Sequence, residues 1–327
     1  MSVRGIWVTW ELQRRNHGIS RAFGWPLYQI MYEQDNRALR YLRSIRDTIR
    51  AIRKERPQVV AAQNPSIVLA LVVIWLKHLF HYLVVIDSHN SGLFPKEGTH
   101  RLLMIISRWI QRHADLTIVT NPALRLVVAE NGGRGCVLPD RLPSIERFPD
   151  RSRGVGVVLV FICTYNDDEP FREVVAAAGQ LPEGVTLRIT GKYGGKIDPA
   201  LVPKCVTLLG YLPEEEYWTT LSSADIIVDL TRRENCLVCG AYEAVALEKP
   251  LILSDTAALR SYFSKGCVYV EPTTSAIARG MQEAIERRRE LGVGVKELKQ
   301  ELLSSWDRQF EACREHIERL VARKDIL

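Results

Sequence analysis

The segment Thr231–Pro250 concentrates polar chemistry between two apolar runs. It reads Thr231-Arg232-Arg233-Glu234-Asn235-Cys-Leu-Val-Cys-Gly240-Ala-Tyr-Glu243 and continues to Pro250. A strand empties into a polar loop, and a helix starts beside it at Gly240. Such a helix start offers unpaired backbone N–H groups and a positive dipole end, which suit a diphosphate. Arg232 and Arg233 add positive charge there. Glu243, one turn into the helix, can accept hydrogen bonds from ribose hydroxyls. Lys192 follows a strand end and Gly191, and is a further phosphate candidate. His89 follows the apolar run Tyr82–Ile86, within Asp87-Ser88-His89-Asn90. A positioned histidine at a strand end can hydrogen-bond a ligand and stabilise developing charge. Asp87 either orients it or caps the next helix.

These residues need elements to hold them, and the chain supplies alternation. Gly5–Trp10 reads as a strand running into a polar loop, Glu11–Ser20. Arg37–Arg56 is a basic helix with apolar positions Leu39, Leu42, Ile45, Ile49 and Ile52 along one face. Further strands are expected at 58–62, 82–86, 116–120, 156–163, 186–190, 205–209, 226–230 and 250–253. Helices are expected at 67–80, 101–113, 171–179, 213–222 and 240–247, with Asp167-Asp168-Glu169-Pro170 starting the one at Phe171. Two terminal helices follow, Thr273–Glu290 and Val295–Val321. Such alternation predicts parallel sheets covered on both faces. Pro139, Pro143 and Pro149 mark Pro139–Gly154 as a linker. The expected division is 1–150 and 151–305, with 306–327 a C-terminal helix returning to the first domain.

At 327 residues and 46% hydrophobic content the chain fits two ordinary globular domains. The net charge is +6. Residues 1–150 hold 21 Lys/Arg against 12 Asp/Glu, so the first half is basic while the rest is slightly acidic. That asymmetry suits an anionic partner in the first half or a solvated helix face. No matching module or aromatic-interleaved basic run supports nucleic acid. The apolar run Ile67–Leu76 is too short to span a bilayer, which needs about 20 residues. Seven irregularly spaced cysteines and no evident targeting peptide lead to an expectation of a reducing cytoplasm. Cys236-Leu-Val-Cys239 has no second pair and no clustered histidine, so no metal site is predicted.

Glu243-Ala-Val-Ala-Leu-Glu-Lys-Pro250-Leu-Ile-Leu-Ser-Asp255 resembles the donor segment of glycosyltransferase family 4. Leu209-Gly-Tyr-Leu and Ser223-Ala-Asp-Ile-Ile-Val are similar to stretches of the same family, so the likeness covers about residues 205–272. The resemblance implies an α/β GT-B fold, two Rossmann-like domains facing across a central cleft. It also implies a UDP- or GDP-linked sugar donor and retaining, metal-independent transfer with no cofactor. Glu243 then matches the ribose ligand. The sugar contact falls on Asn235, eight positions before Glu243, or on Glu234 one residue earlier. Glu248 stands where the family has glycine. The family's Lys-Gly after the first strand of this domain is missing. In such enzymes a histidine at the place of His89 faces the donor sugar, and a small-residue turn at the place of Gly18 lies near the phosphates. The acceptor implied is a glycan or a lipid-linked saccharide. The basic helix and its apolar neighbour suggest peripheral docking on the inner, anionic face of a membrane. A nucleotide-sugar epimerase of the same architecture and a catalytically degenerate subunit supporting a partner transferase are the rival readings.

Overall fold

The structure is a computed structural model describing residues 3–32, 36–145 and 156–324. Its chain forms two compact units, Met1–Arg141 with Ser305–Leu327, and Leu142–Ser304. Residues 146–154 of the predicted linker lie outside the described residues. Leu142, read from the sequence as linker, is buried in the core of the second unit.

The first unit contains β1 (Gly5–Thr9), α1 (Arg14–Phe23), β2 (Leu27–Gln29), α2 (Arg37–Glu55), β3 (Val59–Asn64), α3 (Ile67–Phe80), β4 (Leu83–Ser88), α4 (Asn90–Leu93), α5 (Arg101–His113), β5 (Leu116–Val119), α6 (Pro122–Glu130) and β6 (Gly135–Val137). Its six strands pair in the order β2-β1-β3-β4-β5-β6, all parallel. Strands β3 and β4 are buried along their whole length, as strands covered on both faces must be. One face of the sheet packs against Ala51 and Ile52 of α2, Leu69 and Val73 of α3, and Ile110 of α5.

The second unit contains β7 (Val157–Phe161), α7 (Phe171–Ala178), β8 (Val185–Thr190), β9 (Val206–Gly210), α8 (Glu214–Ser222), β10 (Ile226–Asp229), α9 (Cys239–Ala246), β11 (Leu251–Ser254), α10 (Ala257–Tyr262) and β12 (Cys267–Val270), and most of α11 (Thr274–Lys324). Its strands run parallel in the order β12-β11-β10-β7-β8-β9. Strand order reverses beside β1 in the first sheet and beside β7 in the second. Ligands of open parallel sheets collect at such switch points, outside the carboxyl ends of the strands.

Several sequence expectations need correction. The polar loop expected at Glu11–Ser20 is largely helix: α1 starts at Arg14 and buries Ile19. Gly18 therefore sits inside a helix rather than in a turn, with open space where a Cβ would be. The buried face of α2 is Ser44, Thr48, Ala51 and Ile52, whereas Leu42 is 66% exposed. Thr48 donates to the Ser44 carbonyl, so hydroxyls can pack there without loss of hydrogen bonding. The acids before α7 do not cap it: its N-cap is Pro170 and makes no side-chain bond. The two terminal helices are one, α11, unbroken through Gly292 and Gly294. A Cβ on Gly294 would lie 2.8 Å from the Gly266 nitrogen, so this glycine permits close backbone approach and is not a stop.

Candidate functional site

In the first unit, a buried polar layer sits at the carboxyl ends of β1, β3 and β4. Thr9 donates to Gln63 Oε1, which also accepts from Asn16 Nδ2 at 2.8 Å. Asn16 Oδ1 in turn accepts from the Trp7 indole at 2.9 Å. Asn64 Nδ2 reaches Ser88 Oγ at 3.2 Å. Asp87 is fully buried and takes a two-pronged contact from Arg15, with Nε at 2.9 Å and Nη2 at 2.8 Å. Arg15 Nη2 also donates to the Leu138 carbonyl, and Nη1 pairs with Asp140. Burial alone would depress the Arg15 guanidinium; Asp87 and Asp140 outweigh it and hold the pKa above its ordinary value. One cation thus satisfies two carboxylates, the condition under which buried charge is tolerated.

His89 follows this layer at the N-terminus of α4. Its Nε2 is enclosed, lies 3.9 Å from Asp87 Oδ2, and makes no hydrogen bond among the described residues. Gln63 Nε2 and Asn64 Oδ1 are likewise buried without a hydrogen-bond partner. Three such atoms at neighbouring strand ends are uncommon, because buried polar groups ordinarily find partners. They offer a donor, an acceptor and an imidazole to a polar ligand. Of this set, sequence reasoning singles out His89 and Asp87, takes Arg15 and Asn16 only as part of the loop after the first strand, and gives Gln63 and Asn64 no site role.

The second unit holds Lys192, Arg232, Arg233, Glu234, Asn235, Gly240 and Glu243. The switch-point loops after β7 and β10 are stitched together. The Arg232 N–H donates to the Asp168 carbonyl at 2.7 Å, and Thr231 Oγ1 donates to the Asp168 carboxylate at 3.0 Å. Glu169 folds back and accepts from the Thr164 and Asn166 N–H groups. The two arginines expected to meet a diphosphate have acidic partners: Arg232 pairs with Glu173 at 2.6 Å and Arg233 with Asp168 at 3.3 Å. Lys192 is exposed, its Nζ 5.3 Å from the centre of the Tyr211 ring.

At the start of α9 the first amides are already engaged. Asp229, the last residue of β10, accepts from the N–H groups of Gly240 and Ala241. A side chain at 240 would strike this carboxylate, since its Cβ would lie 2.5 Å from Asp229 Oδ2. Burial, then the charges of Glu169 and Glu243, push the Asp229 pKa well up; the two amides pull the other way. Glu243 accepts a hydrogen bond from the Tyr217 hydroxyl of α8, which fixes the carboxylate. Glu234 is exposed and Asn235 half-buried in the loop before α9. Glu248, in the family's glycine position, has φ 59°, the left-handed conformation that favours glycine. Its carboxylate is held by Lys299 at 2.8 Å, and that hydrogen bond keeps its pKa low. Among the described residues no cluster suited to a metal ion occurs.

Two parallel, helix-covered six-stranded sheets of this order make the chain a GT-B α/β protein. Its fold is similar to sucrose-phosphate synthase from Thermosynechococcus elongatus, at 15% identity and TM-score 0.78, over 98% of this chain and 100% of that one. It is also similar to Anabaena HepE in complex with UDP, at 12% identity and TM-score 0.68, over 98% of each chain. A candidate UDP-N-acetylglucosamine 2-epimerase from Listeria monocytogenes matches at 10% identity and TM-score 0.57, over 90% of this chain and 91% of that one. At these identities the likeness shows the fold. No protein-family profile matches the chain. No curated protein matches it either.

Proposed function

We propose that this protein transfers a sugar from a nucleotide-diphosphate-sugar to a saccharide acceptor. The observation that carries the proposal is Glu243, oriented by Tyr217 beside the switch point of the second sheet. In this reading Glu243 accepts hydrogen bonds from the ribose hydroxyls. Lys192 is the cation left to meet the diphosphate, because Arg232 and Arg233 chiefly brace the loops. Asn235 or Glu234 contacts the donor sugar. His89, held beside the Arg15–Asp87 pair, serves the transferred sugar. Fixed positive charge stabilises the departing nucleoside diphosphate as the glycosidic bond breaks. Support for a uridine donor comes from HepE, solved with UDP, with UDP-glucose, and with UDP and glucose. Retention of configuration and independence from metal rest on the family 4 resemblance. A polysaccharide or glycoconjugate pathway is the setting that an acceptor saccharide implies.

The test is a panel of UDP- and GDP-sugars scored by thermal stabilisation. A ligand at 100 times its Kd stabilises the folded state by about 2.7 kcal/mol. Glu243→Ala should lose most of that shift while keeping the ligand-free melting temperature within a few degrees. Acceptor-dependent release of nucleotide separates transfer from epimerisation, which needs no acceptor. A second reading, a subunit that has lost catalysis, is favoured by Asp229 engaging the α9 amides and by Asn235 in the acidic position. It predicts nucleotide binding without turnover.

A further inference from the structure

Five of the eleven large hydrophobic side chains exposed among the described residues lie on α2, α3 and α5 of the first unit. They are Leu42, Trp75, Leu79, Leu102 and Ile105, each at least 60% exposed. These helices cover the same face of the first sheet, with Ala51, Ile52, Val73, Ile74 and Ile110 in one core cluster. Neighbouring helices touch: Arg53 lies over the Phe80 ring, and Lys77 donates to the His113 carbonyl at 2.7 Å. The exposed side chains keep helical spacing, Trp75 and Leu79 on α3 and Leu102 and Ile105 on α5. A helix pattern that buries one stripe and leaves a second apolar stripe in water is unusual for a soluble surface.

The charge on the helices that carry the stripes is mainly positive. Residues 37–56 hold eight Lys/Arg against two acids, and α5 adds Arg101, Arg108 and Arg112, all exposed. We infer that this face docks on an anionic lipid bilayer, with Trp75, Leu79, Leu102 and Ile105 entering the interface and the arginines meeting lipid phosphates. A tryptophan with a leucine one turn away, on a face whose neighbouring helices are rich in arginine, is the composition that settles at the headgroup level. The excess of basic side chains on α2 and α5 is what a uniformly anionic surface complements. Among the described residues no helix is long and apolar enough to cross a membrane, so the attachment is peripheral. The inference is independent of donor chemistry in the second unit: a chain binding no nucleotide sugar would still dock.

The experiment is co-sedimentation of the full chain with phosphatidylcholine vesicles, with and without about one quarter phosphatidylglycerol, at low and high salt. Binding should need phosphatidylglycerol and weaken with salt. Trp75→Ser with Leu79→Ser should lower the partition coefficient by about tenfold or more. Arg101→Ser and Arg108→Ser should each lower it by about fivefold. Leu201→Ser, equally exposed but in the second unit, should leave it unchanged. Circular dichroism melting confirms that each variant stays folded. Equal binding to uncharged vesicles, no loss in the α3 and α5 variants, or an equal loss with Leu201→Ser would overturn the inference. So would a stable dimer in solution that the Trp75 and Leu79 changes dissolve, because the face would then belong to a second copy.

Discussion

Asp229 and Arg15 show opposite solutions to burying a charge. Arg15 is surrounded by two carboxylates and a carbonyl, so it stays ionised. Asp229 has only two amides to set against burial and two neighbouring acids, so its protonated form gains. The folded pKa lies above the unfolded one, and the sign follows: its stabilising contribution is full below the ordinary carboxylate range and is lost as pH rises through the raised value. Asp229→Asn keeps an acceptor for the Gly240 and Ala241 amides and cannot ionise. The variant should therefore melt increasingly above the wild type as pH rises from about 4 towards 8. Melting curves at stepped pH check this; a constant difference across the range would count against it. Neither charge was legible in sequence. Arg15 meets partners 72 and 125 positions away, and Asp229 reads as the last residue of an apolar strand. Glu243 was legible because its motif is local, running from the loop through α9 to Pro250.

At the scale of elements, legibility followed burial. Strands β3, β4 and β10 are apolar runs because both faces are covered, and their positions were readable to within two residues. The short elements β2, β6, α10 and β12 are not legible: β2 and β6 have three half-buried residues each, β12 is only alternately buried where the equally short β10 is buried throughout, and α10 is a helix of only six. The two terminal helices expected from sequence leave 291–294 between them, where α11 runs through Gly292 and Gly294 unbroken. Gly266 has φ +71°, and a Cβ there would lie 2.2 Å from Val295 Cγ2. Gly266→Ala should lower stability by about 2–4 kcal/mol. Gly292, inside the same helix with nothing within 4 Å, gives the contrast. Gly292→Ala should raise stability by about 0.5–1 kcal/mol, because alanine is the better helix former. Chemical denaturation of both variants checks the pair; equal effects would refute the packing argument.

At the scale of the whole molecule, the order of the chain and the order of its cores differ. The first unit is built from residues at both ends of the sequence. Trp306, Phe310, Cys313, Ile317 and Val321 share a core with Trp7, Ile19, Trp25, Leu83 and Leu116. The Trp306 indole donates to the Pro139 carbonyl at 3.0 Å, and Arg141 lies over its ring. A chain ending at Ser304 should bind a hydrophobic dye at room temperature and lose a cooperative melting transition. A truncated chain with unchanged melting and no dye binding would contradict this.

On the ribosome this arrangement imposes a schedule. The residues of β1 emerge before every strand of the second unit, yet the side chains that cover Trp7 and Trp25 arrive with the last turns of α11. The second unit has all of its own sheet before then. The first unit must wait, one apolar face uncovered, until residues 306–321 have been made, while the second unit completes its sheet sooner. For these two units the order of birth and the order of maturity are reversed, and the newborn chain most needs protection from neighbours at the unit made earlier.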